Sequence, residues 1–273
     1  MTTYETIEFT QDGHVGWLRL NRPEKLNCFT VRMWQEMRAI GKELRDDPGL
    51  RALVVIGNGR AFSSGIDTSV FTGGGADALD EPGEPATHED PTVSNILRTQ
   101  EAYSWLEEAR YPTIAAVRGY ALGAGLQLAL ACDIRVFARG TSVGLLEHKY
   151  GILPDLGGTQ RLPRLVGAGK AKEMIWTAAR LDADEAFRIG LCEQLVDDGE
   201  LDATAAALAN AVAAQPPLAV QGAKRAVAAA GRLPVAEGLV VEAEAQAVCL
   251  RSDDMREAIT AFVEQRQPNF SAK

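Results

Sequence analysis

Cysteine is scarce and widely dispersed in this chain of 273 residues. No two of the four thiols form a CxxC pair; they are Cys28, Cys132, Cys192 and Cys249. Structural zinc sites and disulfide frameworks need cysteines at close or repeated spacings. We therefore expect reduced, buried thiols, with no metal site and no disulfide.

Long apolar runs and a basic leader are also missing. No uncharged apolar run reaches the ~18 residues that a membrane span requires. The first residues, MTTYETIEF, contain neither the basic n-region nor the apolar h-region of a signal peptide. These absences predict a cytoplasmic protein that does not contact membranes.

Positive charge is in deficit as well. The formal net charge is −9 and the sequence pI is near 5.0. Such a balance argues against a general nucleic-acid-binding protein. An anionic ligand would need a local patch of Lys, Arg or backbone N–H groups.

The hydrophobic pattern divides the chain into an α/β core at 1–200 and a helical region at 201–273. Alternation over 5–20 predicts a hairpin, and the period over 30–44 predicts a helix that Thr30 caps. Residues 73–92 are rich in Gly, Pro and acids, which is typical of a mobile surface insert. Buried strands are expected at 51–57, 113–119, 133–138 and 191–197. Helices are expected at 93–110, 202–214, 217–230, 235–250 and 253–266.

A glycine-rich turn, GYALGAGLQLALACDIR, leads from a strand into an apolar helix at 119–135. Gly123 and Gly125 let the backbone approach a ligand closely, and the N–H groups of the helix start have no intrahelical acceptor. A second loop of small residues, GRAFSSGIDTSVF, occupies 59–71. Two such loops could donate two N–H groups to one developing oxyanion, as on a thioester carbonyl. Close helix–strand packing is the alternative explanation for the glycines.

Five segments carry a resemblance to a known family, and together they cover nearly the whole chain. The segments are NRPEKLN (21–27), AFSSGID (61–67), AAVRGYALGAGLQLALACDIR (115–135), LLEHKYGILPDLGGTQRLPRLVG (145–167) and AFVEQRQPNF (261–270). On these segments, the chain resembles the enoyl-CoA hydratase/isomerase family, also called the crotonase superfamily.

The resemblance implies an α/β fold, a crotonase-like spiral of ββα turns with a helical C-terminal trimerisation region. It also implies a coenzyme A thioester substrate, no separate cofactor, and a homotrimer or a dimer of trimers. The two oxyanion-hole N–H groups of the family fall on Ser64 and Ala124. The family often has Ala and Gly there, but a main-chain donor does not depend on the side chain.

The acid–base residues depart from the hydratase pattern. Hydratases of the family use two glutamates, of which one falls on Glu147 and the other on Gln127. An amide neither gives nor takes a proton at neutral pH, although it can orient a water or a carbonyl. Simple enoyl-CoA isomerases of the family work with the Glu147-type residue alone. The sequence therefore favours double-bond isomerisation, with hydration by Glu147 and Asp155 as the alternative.

Asp155 lies eight positions after Glu147. Dienoyl-CoA isomerases resemble this spacing of a glutamate and an aspartate, but they also carry an aspartate at the position of Gln127. Asp155 is therefore either a proton-transfer partner or a cap for the helix that starts near Gly157. The resemblance further implies substrate contacts at Lys25, Leu26, Gly65, Ile66, Asp67 and, from a neighbouring subunit, Phe262.

Two other functions remain open at this point. Gly140-Thr141-Ser142-Val143-Gly144 matches the nucleophile elbow of a serine hydrolase, which requires Ser142 between a strand and a helix. The missing glutamate also allows a non-catalytic acyl-CoA-binding relative.

Overall fold

The computed structural model describes residues 3–72 and 86–273, so 73–85 of the predicted insert lie outside the described residues. Nine strands are present in the described ranges. They are β1 (Ile7–Asp12), β2 (Val15–Leu20), β3 (Ala52–Gly57), β4 (Thr113–Val117), β5 (Tyr120–Leu122), β6 (Ile134–Ala138), β7 (Ser142–Gly144), β8 (Leu181–Asp182) and β9 (Gln194–Val196).

Eleven α-helices accompany these strands in the same ranges, with short 3-10 turns that include Pro23–Lys25 and Glu147–Tyr150. The helices are α1 (Val31–Leu44), α2 (Ser69–Thr72), α3 (Pro91–Glu108), α4 (Ala124–Ala131), α5 (Gly158–Val166), α6 (Ala168–Thr177), α7 (Ala183–Arg188), α8 (Leu201–Ala213), α9 (Pro217–Ala230), α10 (Val235–Arg251) and α11 (Asp253–Glu264). None of the helices in the described ranges combines the length and apolar content that a membrane crossing needs.

The main sheet has six strands in the order β1-β2-β3-β4-β6-β9. The predicted hairpin is confirmed, because β1 pairs antiparallel with β2; the other neighbours in this sheet pair in parallel. A smaller sheet has the order β5-β7-β8. Its strands have only two or three residues, too few for a hydrophobic period, and the sequence did not predict them.

The main sheet is buried on both faces. Leu53 and Val55 of β3 join the core cluster formed with α1 and α3, whereas Val54 and Ile56 join the cluster on the opposite face. Helix α8 covers that second face with a stripe at every fourth residue, Leu201, Ala205, Ala209 and Ala213. Every second residue of β3 and every fourth residue of α8 is apolar and faces the other element, so the helix packs against the sheet.

Most predicted elements are confirmed. Thr30 caps α1, since its Oγ1 accepts a hydrogen bond from the N–H of Met33 at 3.2 Å. The four C-terminal helices lie within about two residues of the predicted bounds. Helix α3 begins earlier than predicted, because Asp90 accepts from the N–H of Thr92 and Pro91 suits a first helical turn.

Candidate active site

A small cavity of about 120 Å³ brings the two predicted loops together with Glu147. Its lining residues are Ser64, Gly65, Ile66, Thr68, Leu122, Gly123, Ala124, Leu146, Glu147, Tyr150, Ile152 and Arg180. A larger groove of about 1250 Å³ runs between α9, α10 and the edge of the core, but none of the predicted site residues line it. The smaller cavity is therefore the candidate active site.

The glycine turn shapes one wall of this cavity. Gly123 has φ 50° and ψ −121°, a backbone conformation that residues with a Cβ rarely adopt. Its N–H donates to the carbonyl of Gly144 at 2.8 Å, and a Cβ added to it would lie 3.2 Å from Oε1 of Glu147. The turn thus lets the backbone lie directly against the Glu147 carboxylate.

Gly125 serves a different purpose in the same turn. A Cβ at this position would lie 2.6 Å from the carbonyl oxygen of Ser63, so α4 can pack against the 61–67 loop only with glycine there. Close packing and ligand approach are therefore combined in one motif, with a separate glycine for each.

The two predicted oxyanion donors differ in this structure. Ala124 is the first residue of α4, and its N–H has no acceptor within residues 3–72 and 86–273. The N–H of Ser64 instead donates to the carbonyl of Leu26 at 2.9 Å. The reason is that the 61–67 loop pairs with the 26–29 segment through a parallel bridge between Phe29 and Ile66. A thioester oxygen would have to share or displace the Leu26 carbonyl to reach Ser64.

Gln127 does not line the cavity, as a polar residue of the pocket would, but forms a bridge inside the core behind it. Its side chain is 1% exposed, its Oε1 accepts from the N–H of Gly158 at 2.9 Å, and its Nε2 donates to Oε1 of Glu147 at 2.8 Å. The orientation of the amide follows from these contacts, because a backbone N–H must face the oxygen. Gly158 leaves room for the bridge, since a Cβ there would lie 3.0 Å from Gln127 Oε1.

Glu147 begins the 3-10 turn that follows β7 and is only 4% exposed. Its Oε2 is buried and has no hydrogen-bond partner in the described part of the chain. Burial raises the pKa of this carboxyl, the hydrogen bond from Gln127 partly offsets that rise, and the nearby charge of Asp155 adds to it. A buried carboxylate with one unpartnered oxygen and a raised pKa is suited to proton transfer.

Asp155 lies next to the site but does not line the cavity. Its backbone is fixed by Gln100, whose Nε2 donates to the Asp155 carbonyl at 2.6 Å, and burial raises the pKa of its carboxyl. The capping interpretation is wrong. Gly157, with φ 96°, occupies the position before α5, and no side chain caps this helix in the described structure.

The predicted substrate-contact residues are not all in one place. Gly65 and Ile66 line the cavity, whereas Lys25 and Leu26 lie at the 3-10 turn and do not line it. Phe262 on α11 is 85% exposed in the single chain and also lies outside the cavity lining.

Asp67 stabilises the loop rather than lining the cavity. Its carboxylate accepts a hydrogen bond from the N–H of Ser69 at 3.1 Å. Hydrogen bonds from Ser69, Arg22 and Cys28 together hold the pKa of Asp67 well below the usual range. It also pairs with Arg22 at 3.0 Å and accepts from Sγ of Cys28. The carboxylate thereby ties the 61–67 loop to the segment around Arg22.

The serine-hydrolase alternative is wrong. Ser142 lies within β7, where Ser142 pairs with Tyr120 of β5 and Asp182 of β8. A nucleophile elbow needs a sharp turn from a strand into a helix. The nearby His148 is exposed.

Six lining residues were not predicted as site residues from the sequence; they are Thr68, Leu122, Leu146, Tyr150, Ile152 and Arg180. Tyr150 lies in the same short turn as Glu147, so its position in that turn could have placed it near the site. Ile152 and Arg180 carry no motif of their own, and only the folded chain brings them to the cavity.

Comparison with known proteins identifies the family. Residues 10–273 match the family model described as enoyl-CoA hydratase/isomerase. The chain therefore belongs to the enoyl-CoA hydratase/isomerase family, and its fold is the crotonase-like fold expected from the sequence.

Individual relatives agree with this assignment. The chain is 36% identical over 271 residues to a protein of Mycobacterium bovis named a probable enoyl-CoA hydratase, covering 98% of this chain and 99% of the relative. It is 34% identical to the crotonyl-CoA hydratase of Syntrophomonas wolfei, covering 99% of each chain. The crystal structure of an enoyl-CoA hydratase from Bacillus anthracis is similar with a TM-score of 0.89 and 32% identity, covering 98% of this chain and 100% of that one. A Thermobifida fusca enoyl-CoA hydratase candidate in complex with CoA is similar with a TM-score of 0.81 and 40% identity, covering 90% and 93%.

Proposed function

We propose that the protein binds enoyl-CoA thioesters and moves a proton at the carbon next to the thioester carbonyl, with Glu147 as the base. One observation carries this proposal. Glu147 and Ala124 line the same small cavity. In the described structure, Oε2 of Glu147 has no hydrogen-bond partner and the N–H of Ala124 has no acceptor.

The Ala124 N–H supplies the electrophilic side of the reaction. A thioester oxygen placed there would accept a hydrogen bond at the positive end of the α4 dipole, which stabilises the negative charge of an enolate. Ser64 would become the second donor once substrate displaces the Leu26 carbonyl from its N–H. These steps draw on no metal and no redox cofactor.

Isomerisation of the double bond is favoured over hydration. Both polar atoms of Gln127 are engaged, one with Gly158 and the other with Glu147, and an amide does not transfer protons. One carboxylate can remove a proton from one carbon and return it to another. Hydration also requires a bound water and a second proton-handling group.

Hydration with Asp155 as the second group is the other candidate. It is supported by the names of the relatives, which include crotonyl-CoA hydratase. It is also supported by Asp155 itself, a half-buried carboxyl whose charge acts on Glu147.

Two substrates separate the candidates. With a 3-enoyl-CoA, isomerisation creates the conjugated thioester and increases its absorbance, and the mass does not change. With crotonyl-CoA, hydration removes that absorbance and adds the mass of one water. We expect faster turnover of the 3-enoyl-CoA. Faster hydration of crotonyl-CoA would establish the second candidate, and turnover of neither thioester would contradict the proposed function.

We also propose that the chain forms the homotrimer, or dimer of trimers, implied by its sequence. Helix α10 exposes Val235, Leu239 and Val240, and α11 exposes Phe262 and Val263. Apolar side chains exposed in this number on adjacent helices are typical of an interface. Sedimentation equilibrium measures the mass, and a monomer at micromolar concentration would contradict this assembly.

A further inference from the structure

Arg180 is held at the candidate active site by the small sheet. It lies between α6 and β8, directly after Ala179. Gly144 of β7 accepts the hydrogen bond of Gly123, and a Cβ on Gly144 would lie 2.5 Å from the carbonyl of Ala179. The glycine at 144 therefore lets the 179–180 segment pack against the strand that supports the glycine turn.

Arg180 is exposed in the single chain, and its guanidinium has no partner within residues 3–72 and 86–273. No hydrogen bond and no ion pair shorter than 4.0 Å joins it to these residues, whereas Arg22, Arg135 and Arg161 each pair with a carboxylate. Glu147 is the one carboxylate among the described lining residues, and no ion pair joins it to Arg180. Arg180 therefore does not serve to neutralise the proposed base.

We propose that Arg180 binds a carboxylate at the end of the acyl chain remote from the thioester, so that the substrate class is an enoyl-CoA of a dicarboxylic acid. This inference rests on the proposed function. The planar guanidinium matches a carboxylate with two parallel hydrogen bonds. The other described lining residues, apart from Glu147, are uncharged, so Arg180 is the group in this cavity that can offset a second negative charge.

A phosphate of coenzyme A is the other possible source of an anion. The long pantetheine arm separates these phosphates from the thioester. Arg180 instead shares a cavity of only about 120 Å³ with Glu147, the proposed base, and Ala124, the proposed donor to the thioester oxygen. A carboxylate on a short acyl chain therefore fits the position of Arg180 better than a phosphate.

Binding of unreactive analogues tests the inference independently of catalysis. Glutaryl-CoA carries the terminal carboxylate, and butyryl-CoA lacks it; neither contains the double bond. Titration calorimetry measures both affinities for the wild type, Arg180→Gln and Arg180→Lys. Arg60→Gln is the control, because Arg60 is an exposed arginine that does not line the cavity.

We expect the wild type to bind glutaryl-CoA at least as tightly as butyryl-CoA. Arg180→Gln should weaken glutaryl-CoA about tenfold more than butyryl-CoA, Arg180→Lys should weaken it less, and Arg60→Gln should leave the ratio unchanged. An equal loss of affinity for both ligands would assign Arg180 to a CoA phosphate and overturn the inference. No loss of affinity for either ligand would overturn it as well. If neither ligand bound the wild type, the proposed function itself would fail.

Discussion

The Nε2 of Gln127 donates to Oε1 of Glu147 at 2.8 Å, and this single contact makes the two oxygens of the carboxylate unequal. Oε1 is held by an amide that is itself fixed by Gly158, while Oε2 is buried without a partner in the described structure. The residue that departs from the hydratase pattern therefore orients the proposed base. In the proposed reaction, Gln127 positions Glu147 and adjusts its pKa.

Glu147→Gln should remove proton transfer and leave thioester binding in place. Loss of a general base typically lowers the rate by ~10²–10⁴-fold. The measurement is kcat for a 3-enoyl-CoA, together with the affinity for butyryl-CoA. Glu89→Gln, at an exposed glutamate, is the matched control. More than half of the wild-type activity in Glu147→Gln would show that another group is the base.

Gln127→Met should move the acidic limb of the pH profile of kcat/KM to higher pH. Burial raises the pKa of Glu147 above its ordinary value, and the Gln127 hydrogen bond counteracts that rise, so removing the bond should raise the pKa further. Activity requires the ionised carboxylate and is lost as the pH falls through this pKa. The variant should also lose about 1–3 kcal/mol of stability, because the N–H of Gly158 is left unpaired.

The exposed Gln160→Met is the control for that experiment, and neither its pH profile nor its thermal midpoint should change. An acidic limb that stays in place in Gln127→Met would mean that Gln127 does not act on Glu147. A limb that moves to lower pH would contradict the direction of the effect.

Asp155→Asn should distinguish the two candidate functions. If Asp155 only adds negative charge, its removal lowers the pKa of Glu147, and the acidic limb moves to lower pH with isomerisation retained. If Asp155 is the second proton-handling group, hydration falls strongly while isomerisation persists. Separate assays with crotonyl-CoA and a 3-enoyl-CoA measure both, and an equal loss of both activities would fit neither role.

Stability should change in a defined direction in the same variant. The pKa of Asp155 is raised in the folded chain, so its contribution to stability is present below its unfolded pKa and is lost as the pH rises through its folded pKa. Asparagine carries no charge to bury, and the free energy of unfolding at neutral pH should be equal to or greater than that of the wild type. Urea unfolding measures this difference, and a clear loss of stability would indicate a structural role for the carboxylate.

The sequence predicted the parts of the site that depend on local pattern. The glycine turn, the apolar helix after it and the position of Glu147 all lie within short segments, and the main strands carry strong hydrophobic runs. Helix α9 was equally clear, because Pro216 and Pro217 mark its start.

Contacts between distant segments could not be predicted in this way. The bond from Gly158 to Gln127 joins residues 31 apart, and the N–H of Ser64 is paired only because the 26–29 segment lies beside its loop. Arg180 reaches the cavity because the preceding residue, Ala179, packs against Gly144. These relationships depend on how the chain folds back on itself, and no periodicity in the sequence carries them.

Gln127→Glu should convert the single-carboxylate site into a pair. The new carboxyl keeps the length of the side chain, so one oxygen can still accept from Gly158, but the other would face Oε1 of Glu147 at the 2.8 Å distance of the present hydrogen bond. Two carboxylates at this distance cannot both be charged at low cost, so the pair should hold one proton and one pKa should rise. That shared proton is the acid that hydration lacks in the wild type. Hydration of crotonyl-CoA should increase at least about tenfold, which corresponds to about 1.4 kcal/mol of transition-state stabilisation.

The assay compares hydration and isomerisation in the wild type, Gln127→Glu and the double variant Gln127→Glu/Glu147→Gln, which restores an amide–carboxyl pair with the two positions exchanged. Gain of hydration in the first variant and its loss in the second would show that both carboxyls are needed. A wild type that already hydrates crotonyl-CoA faster than it isomerises a 3-enoyl-CoA would contradict this account of Gln127, and Glu147 would then handle the water with Asp155.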